Sequence, residues 1–244
     1  DVSTSLSTGI GSVESAGTNS FNLGNVTVFD AAADRISAGN LGGTLFNSPW
    51  TIDTYMKIDS LPSAVNYWTG FYADNGSAVY CIGLQSNNKW AFWQTSADDN
   101  VLHDTTAVVD TWYHIRVTRD SNSKINMWIN GTKGGEETAA TVGTGSGLFR
   151  VGNYYGSSNS SLSGFRGNIG PTRVLPVDLG APPSGGLATT SGVLPSYPDG
   201  VPGNSYQFKF ADLTNLGKDT FNGKLADATG GLPILKTSDD YGES

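Results

Sequence analysis

The sequence predicts an all-β fold: an antiparallel two-sheet sandwich, followed by a Pro/Gly-rich C-terminal extension with one extra strand. Three stretches carry that expectation: WTIDTYMKIDS at residues 50–60, TWYHIRVTRD at 111–120 and INMWINGT at 125–132. Each alternates between two faces with the period of a pleated strand. The third closes on Asn130-Gly131, a dipeptide that accepts the positive φ angles of a tight hairpin turn.

Residues 1–23 are polar and rich in Ser, Thr and Gly. Strand patterns begin at 26–29 and 35–37. The strand at 50–58 sets Trp50, Ile52, Thr54, Met56 and Ile58 on one face and Thr51, Asp53, Tyr55 and Lys57 on the other. Further strands are expected at 69–73, 78–84, 90–94, 112–119, 124–129, 137–141, 148–151 and 165–175. Turn-forming residues separate them at Asp74-Asn75-Gly76, Ser86-Asn87-Asn88, Asp120-Ser121-Asn122 and Asn130-Gly131. No helical period is present, and Ala31-Ala32-Ala33 is too short to nucleate a helix unaided. A composition break at GAPPSGG (180–186) continues to Pro202 and reads as an extended, strand-poor surface connector. SYQFKFA (205–211) alternates again, with Tyr206, Phe208 and Phe210 on one face. The chain therefore divides into a sandwich at 1–179, a connector at 180–204 and an extension at 205–244 whose strand is 206–210.

A chain of 244 residues fits one large sandwich. Its hydrophobic fraction of 37% and charged fraction of 15% leave much Gly, Ser, Thr and Asn, as many short strands and turns require. The formal net charge is -8 and the Lys and Arg residues are scattered. That distribution argues against nucleic acid and against an anionic membrane surface, which both need concentrated positive charge. No apolar stretch reaches transmembrane length. Cys81, the one cysteine, sits in the apolar run VYCIGL and reads as a buried, inert thiol. The first residue is Asp1, which reads as a processed chain or as part of something longer.

The order of pieces resembles the laminin-G-like, concanavalin A-like jelly-roll family over residues 25–178. The pieces are AADRISAG, NSPWTIDTYMKI, a glycine-containing hairpin, then Asp110, Trp112, His114 and Ile115 in a D-x-W-x-H-I pattern. INMWINGT follows, and then F-x-G-x-I-G-x-x-R-V at 165–174. The resemblance implies a jelly-roll sandwich. SYQFKFADLTNLGKDTFNG (205–223) and LPILKTSDDYG (232–242) are similar to linker segments in large structural proteins of marine and cyanobacterial tailed phages. Such proteins carry a strand ahead of the polar opening segment, and Tyr206, Phe208 and Phe210 resemble it. This strand is expected either to complete its own sandwich or to add to the edge of a neighbouring copy.

The family includes glucanases, whose two glutamates alternate on one strand. The glutamates here are Glu14, Glu136, Glu137 and Glu243. Glu136 and Glu137 are adjacent and would point to opposite faces, so the pair that glycoside hydrolysis needs is missing. Asp53 reads as a solvated strand residue and Asp59 as a turn residue; they are too far apart for a close pair on one face. His103 and His114 are not spaced as a metal pair, and His114 is expected to be structural. No nucleophile elbow or phosphate-binding glycine motif occurs. Asp98, Asp99, Asn100 and Asp104 fall in one expected loop with oxygen ligands of the kind calcium takes, although the spacing matches no calcium loop. No other cofactor is implied. Tyr67 and Trp68, and Tyr154 and Tyr155 beside Asn153, are the candidate glycan contacts: sugar rings stack on aromatic faces while amides satisfy their hydroxyls. Core capping or a subunit interface would use the same residues.

These readings combine into a non-enzymatic virion structural or adhesive protein, a head decoration or fibre component, located on a virion surface or extracellularly. Its expected partners are other virion proteins, copies of itself and host-surface glycans. Two alternatives stay open: a carbohydrate-binding module of a secreted polysaccharide-degrading enzyme, and a glucanase with an unfamiliar carboxylate arrangement.

Overall fold

The computed structural model describes residues 13–15, 21, 23, 25–29, 35–38, 49–61, 67–74, 79–93, 100–138, 149–152, 162–189, 194–195 and 206–208. These residues form sixteen strands and no helix. The strands are β1 (Val13–Ser15), β2 (Asn25–Phe29), β3 (Arg35–Ala38), β4 (Trp50–Ile58), β5 (Tyr67–Asp74), β6 (Val79–Leu84), β7 (Lys89–Trp93), β8 (Asn100–Thr106), β9 (Trp112–Arg119), β10 (Lys124–Ile129), β11 (Thr132–Thr138), β12 (Phe149–Gly152), β13 (Leu162–Gly164), β14 (Gly167–Ile169), β15 (Thr172–Leu175) and β16 (Tyr206–Phe208).

They pair into two sheets, a jelly-roll sandwich. The first runs β1-β2-β14-β4-β9-β10-β11, with β15 also paired to β4 and β16 to β15. The second runs β3-β12-β5-β6-β7-β8, with β13 also paired to β5. Alternation places Trp50, Ile52, Met56 and Ile58 of β4 between the sheets with Tyr113, Ile115 and Val117 of β9. Tyr80, Ile82, Leu84, Trp90 and Phe92 meet them from the second sheet. Each such side chain removed from water contributes roughly 1.5–3 kcal/mol. Rings organise this layer: Trp50 lies 5.8 Å from Phe92 and Trp90 5.3 Å from Tyr113.

The expected Asn130-Gly131 turn forms, with φ of 50° and 82°. In the turn at 120–123, the Asp120 carboxylate accepts hydrogen bonds from the Asn122 and Lys124 backbone N–H groups. The two sheets are joined along one side, where β8 meets β11. There His103 Nε2–H donates to the Thr132 carbonyl at 2.9 Å, while Nδ1 accepts from the Thr105 N–H at 3.0 Å. These two partners fix the imidazole tautomer.

Several boundaries differ from the sequence expectation. Residues 100–104, read as loop, are the opening of β8. The strand expected at 137–141 is β11 and begins at Thr132, directly after the hairpin turn. The single strand expected at 165–175 is two strands, β14 and β15, divided at Gly170-Pro171 and both paired to β4. Pro171 lacks the N–H a continuous ladder would use.

The F-x-G-x-I-G-x-x-R-V segment has a steric explanation. Gly167 has φ of 143°, and a Cβ there would lie 2.0 Å from the Lys57 carbonyl oxygen and 2.8 Å from Ile58 Cα. Both obstacles are backbone, so neither can rotate away. Gly167→Ala is expected to lower the unfolding free energy by about 2–4 kcal/mol, combining backbone strain with overpacking. Urea unfolding of the variant measures this, and a loss below about 1 kcal/mol would contradict the steric account.

Candidate functional site

A strand in the middle of a two-layer sandwich faces the core on one side only. β4 is nevertheless buried on both sides, with Thr51, Asp53 and Tyr55 as inaccessible as the core-facing residues between them. Asp53 was expected to be solvated. It is fully buried, because residues 176–189 and 194–195 lie across the outer face of the first sheet. The connector read as a surface spacer is, over its described part, a docked strap.

The strap has no ladder of its own, so its backbone groups need side-chain partners when they leave water. Thr51 Oγ1 donates to the Val177 carbonyl at 2.7 Å and accepts from the Leu179 N–H at 2.9 Å. Arg116 Nη1–H donates to the Gly180 carbonyl and Tyr55 O–H to the Leu187 carbonyl. His114 Nδ1 accepts from the Leu187 N–H. Arg173 Nη1–H donates to the Pro195 carbonyl at 2.8 Å. Apolar contact completes the docking: Phe21, Leu23, Val26, Tyr55 and Leu194 form a second cluster, with Trp112 and Leu187 against it. The hairpin tip fits beneath the strap because residue 131 is Gly; a Cβ there would lie 2.3 Å from the Pro183 carbonyl oxygen.

Asp53 stands at the centre of these donors. Its Oδ1 accepts from Arg116 Nε at 2.7 Å and from His114 Nε2 at 3.1 Å. Its Oδ2 accepts from Arg173 Nε at 2.8 Å and from Arg116 Nη2 at 3.0 Å. Four donors occupy the four lone-pair positions a carboxylate offers. Burial by itself would push the Asp53 carboxyl up. The Arg173 and Arg116 guanidiniums, with the His114 hydrogen bond, outweigh burial and hold it well below the usual carboxylate range. Burial pushes His114 down; the Asp53 carboxylate opposes this only in part, and the two arginines add to it, so the ring is neutral. Burial, with the Asp53 charge, pushes the Tyr55 phenol up. All four acceptor positions of the Asp53 carboxylate are thus taken by groups of the chain itself.

Among the described residues, the other acids do not form a site with it. Asp59 lies in the exposed bend after β4. Glu136 and Glu137 are on β11, and Glu136 pairs with Lys133 at 2.9 Å on the surface. Of the expected calcium set, Asp98 and Asp99 lie outside the described residues, while Asp104 is exposed on β8 and ion-paired with Lys89 at 3.1 Å. No group of three or more His, Cys, Asp or Glu side chains able to hold a metal occurs among the described residues.

Tyr67 and Trp68 open β5; Asn153, Tyr154 and Tyr155 lie outside the described residues. Their flanking residues are placed. One edge of β5 is shared by two strands: β12 pairs Phe149–Val151 with Ala73–Phe71, and β13 pairs Leu162, Ser163 and Gly164 with Tyr67, Trp68 and Thr69. Gly152, at φ 99°, takes the chain out of β12 beside the middle of β5, and Leu162 receives it opposite Tyr67. The strands that flank 153–161 thus share one edge of β5, β12 on the half at 71–73 and β13 on the half that carries Tyr67 and Trp68. Tyr206 and Phe208 belong to β16, which pairs with β15 of the same chain; Phe210 lies outside the described residues.

Residues 30–181 match the family described as the concanavalin A-like lectin/glucanases superfamily. No curated protein matches the chain. Among solved structures, a candidate carbohydrate binding protein of Bacteroides ovatus is similar at a TM-score of 0.50 and 16% identity, over 81% of this chain and 56% of that one. Domain 4 of an extracellular arabinanase from Geobacillus stearothermophilus, in complex with arabinotriose, gives a TM-score of 0.48 at 15% identity, over 68% and 74%. A heptameric SAP-like pentraxin of Limulus polyphemus gives 0.43 at 12%, over 69% and 76%. At such identities the likeness is one of fold.

Asp53→Ala would strand two buried guanidiniums and is expected to lower stability by about 3–5 kcal/mol, measured by denaturant unfolding. The pH dependence has a definite sign. The unfolded chain binds a proton at His114 near the ordinary value of 6.5 and the folded chain only at lower pH. Stability from this group is complete above 6.5 and is lost as pH falls below it. Asp53, whose ordinary value is 3.8, adds stability present above that value and lost on further acidification. His114→Gln should therefore flatten the decline in stability below pH 6.5 and leave the steeper loss below pH 4; an unchanged profile would remove His114 from this account.

Proposed function

Because the chain belongs to the concanavalin A-like lectin/glucanase superfamily, we propose that it is a non-enzymatic, lectin-like adhesive component of a phage virion surface that contacts glycans. The observation that carries the glycan reading is the edge of β5 shared by the two strands that flank 153–161. Tyr67 and Trp68 lie on that strand, and both ends of the stretch containing Asn153, Tyr154 and Tyr155 are anchored on it. Aromatic faces beside a carboxamide are what a pyranose ring requires: apolar C–H surface to stack on and a partner for its hydroxyls. The strap covers the outer face of the first sheet, which supports placing recognition on the second sheet, at β5.

The non-enzymatic reading is supported by the state of Asp53. Among the described residues it is the one buried carboxylate, and all its acceptor positions are filled by cationic or imidazole donors. Glycoside hydrolysis needs one carboxyl group free to give a proton and a second free to act as base or nucleophile. The virion setting is supported by the resemblance of residues 205–223 and 232–242 to phage linker segments.

Glycan-array binding by the purified chain tests the proposal. The double variant Y154A/Y155A is expected to lose at least tenfold in affinity with its melting temperature unchanged, about 1.4 kcal/mol or more of binding energy. Equal binding by variant and parent would remove the aromatic site. Glycan binding without association to phage particles would assign the chain to a polysaccharide-degrading system instead.

A further inference from the structure

We infer that His114 is an acid-operated latch: a proton taken up at its Nδ1 lifts the strap at 186–189 off the first sheet while the sheet beneath stays folded. The two ring nitrogens have opposite roles. Nε2–H donates to Asp53 Oδ1 at 3.1 Å, and Nδ1 accepts from the Leu187 N–H at 3.3 Å. A neutral imidazole carries one donor and one acceptor, whereas an imidazolium carries two donors. Protonation therefore turns the acceptor that the strap uses here into a second N–H, facing the Leu187 N–H.

The ring is held where this conflict arises. The His114 backbone N–H donates to Asn130 Oδ1 at 2.8 Å, and its carbonyl accepts from the Asn130 N–H at 2.9 Å. Tyr55 and Phe21 flank the imidazole, with ring centroids 5.0 and 6.4 Å away. The strap backbone rests on the same residue, since a Cβ on Gly186 would lie 3.0 Å from His114 Cβ. The charged groups that face the ring are Asp53 from β4, Arg116 from β9 and Arg173 from β15. A proton on His114 sets three cations around one anion whose acceptor positions are already taken. The strap brings no carboxylate to relieve them. Asp178, the one charged residue in its described part, accepts from its own Gly180 N–H at 2.8 Å.

Release falls on the strap because the strap is held bond by bond. β4 and β9 share a continuous ladder, from Trp50 opposite Arg119 to Lys57 opposite Trp112. The strap near His114 has the Leu187 N–H bond and the Tyr55 O–H bond to the Leu187 carbonyl. Beyond these, Thr189 donates to the Phe21 carbonyl through N–H at 2.9 Å and Oγ1 at 2.7 Å. A segment secured by few separate bonds opens without the rest of the fold. Farther back, the Leu179 N–H is held by Thr51 Oγ1, which does not titrate. Lifting at 186–189 uncovers Tyr55 and Phe21 of the second apolar cluster, so a face closed at neutral pH opens in acid.

Amide exchange of the intact chain, followed by NMR from about pH 7.5 to about pH 4.5, tests this. Burial and the two arginines push His114 below its ordinary 6.5, so the lifted strap favours the proton. Protection at Leu187 and Thr189 is expected to fall together at least tenfold, by up to about tenfold per pH unit below 6.5. The His114 Nδ1 resonance should titrate with the same midpoint. Leu179 should change less than about threefold, and β4 amides should stay at least about a hundredfold better protected than Leu187. In His114→Gln the fall should vanish. Constant protection at Leu187 and Thr189 would overturn the inference. So would a fall at Leu187 alone, an equal fall at Leu179, β4 protection no higher than that of Leu187, or an undiminished fall in His114→Gln.

Discussion

One buried carboxylate organises the outer half of this molecule. Asp53 projects from the central strand of the first sheet away from the main core and gathers two guanidiniums and an imidazole from β9 and β15. Removing three ionic groups from water is unfavourable unless each finds a partner. Here the arrangement is complete: the anion is filled by donors, and the spare N–H groups of both arginines are turned outward. Those spare donors are what an irregular backbone needs in order to lie on a sheet without unsatisfied carbonyls. The charge cluster and the strap are therefore one construction.

The construction explains why a jelly roll of this kind bears a third layer. A sheet face made only of apolar residues would bind another sheet or a helix, which satisfy their own backbones. A face carrying Thr51, Tyr55, His114, Arg116 and Arg173 can bind unpaired chain, because it supplies hydrogen bonds one by one. The apolar cluster around Phe21, Tyr55 and Leu194 adds area to this polar frame. The lectin-like architecture is kept, but one of its two broad faces is spent on holding the chain's own continuation.

Much of the fold was legible in the sequence because period-two alternation and turn chemistry are local signals. β4, β9, β10 and the Asn130-Gly131 turn fall where the pattern puts them. The misreadings share a cause. Asp53, Thr51 and Tyr55 alternate with apolar residues just as solvated positions do, and nothing local reveals that a segment more than a hundred residues away covers them. The strap is rich in Pro and Gly, which marks it correctly as lacking strands but not as lying on the surface. β8 was hidden because its opening residues resemble an acidic loop. The sharing of one edge of β5 by β12 and β13 was hidden too, because it depends on register and not on local pattern. A clue was available in Arg116 and Arg173, two cations that alternate with apolar residues on their strands just as Asp53 does on β4, and that would have asked for an anion between them.

The side on which His103 ties β8 to β11 acts like the spine of a book. Both covers are sewn there, by an imidazole bonded to one and seated in the other, with Gly134 leaving it room. Leaves sewn along one margin fan apart at the other, so breathing of the two covers belongs to the far margin, where short strands give the fewest stitches. β5, three strands along from β8, is a page well clear of the spine.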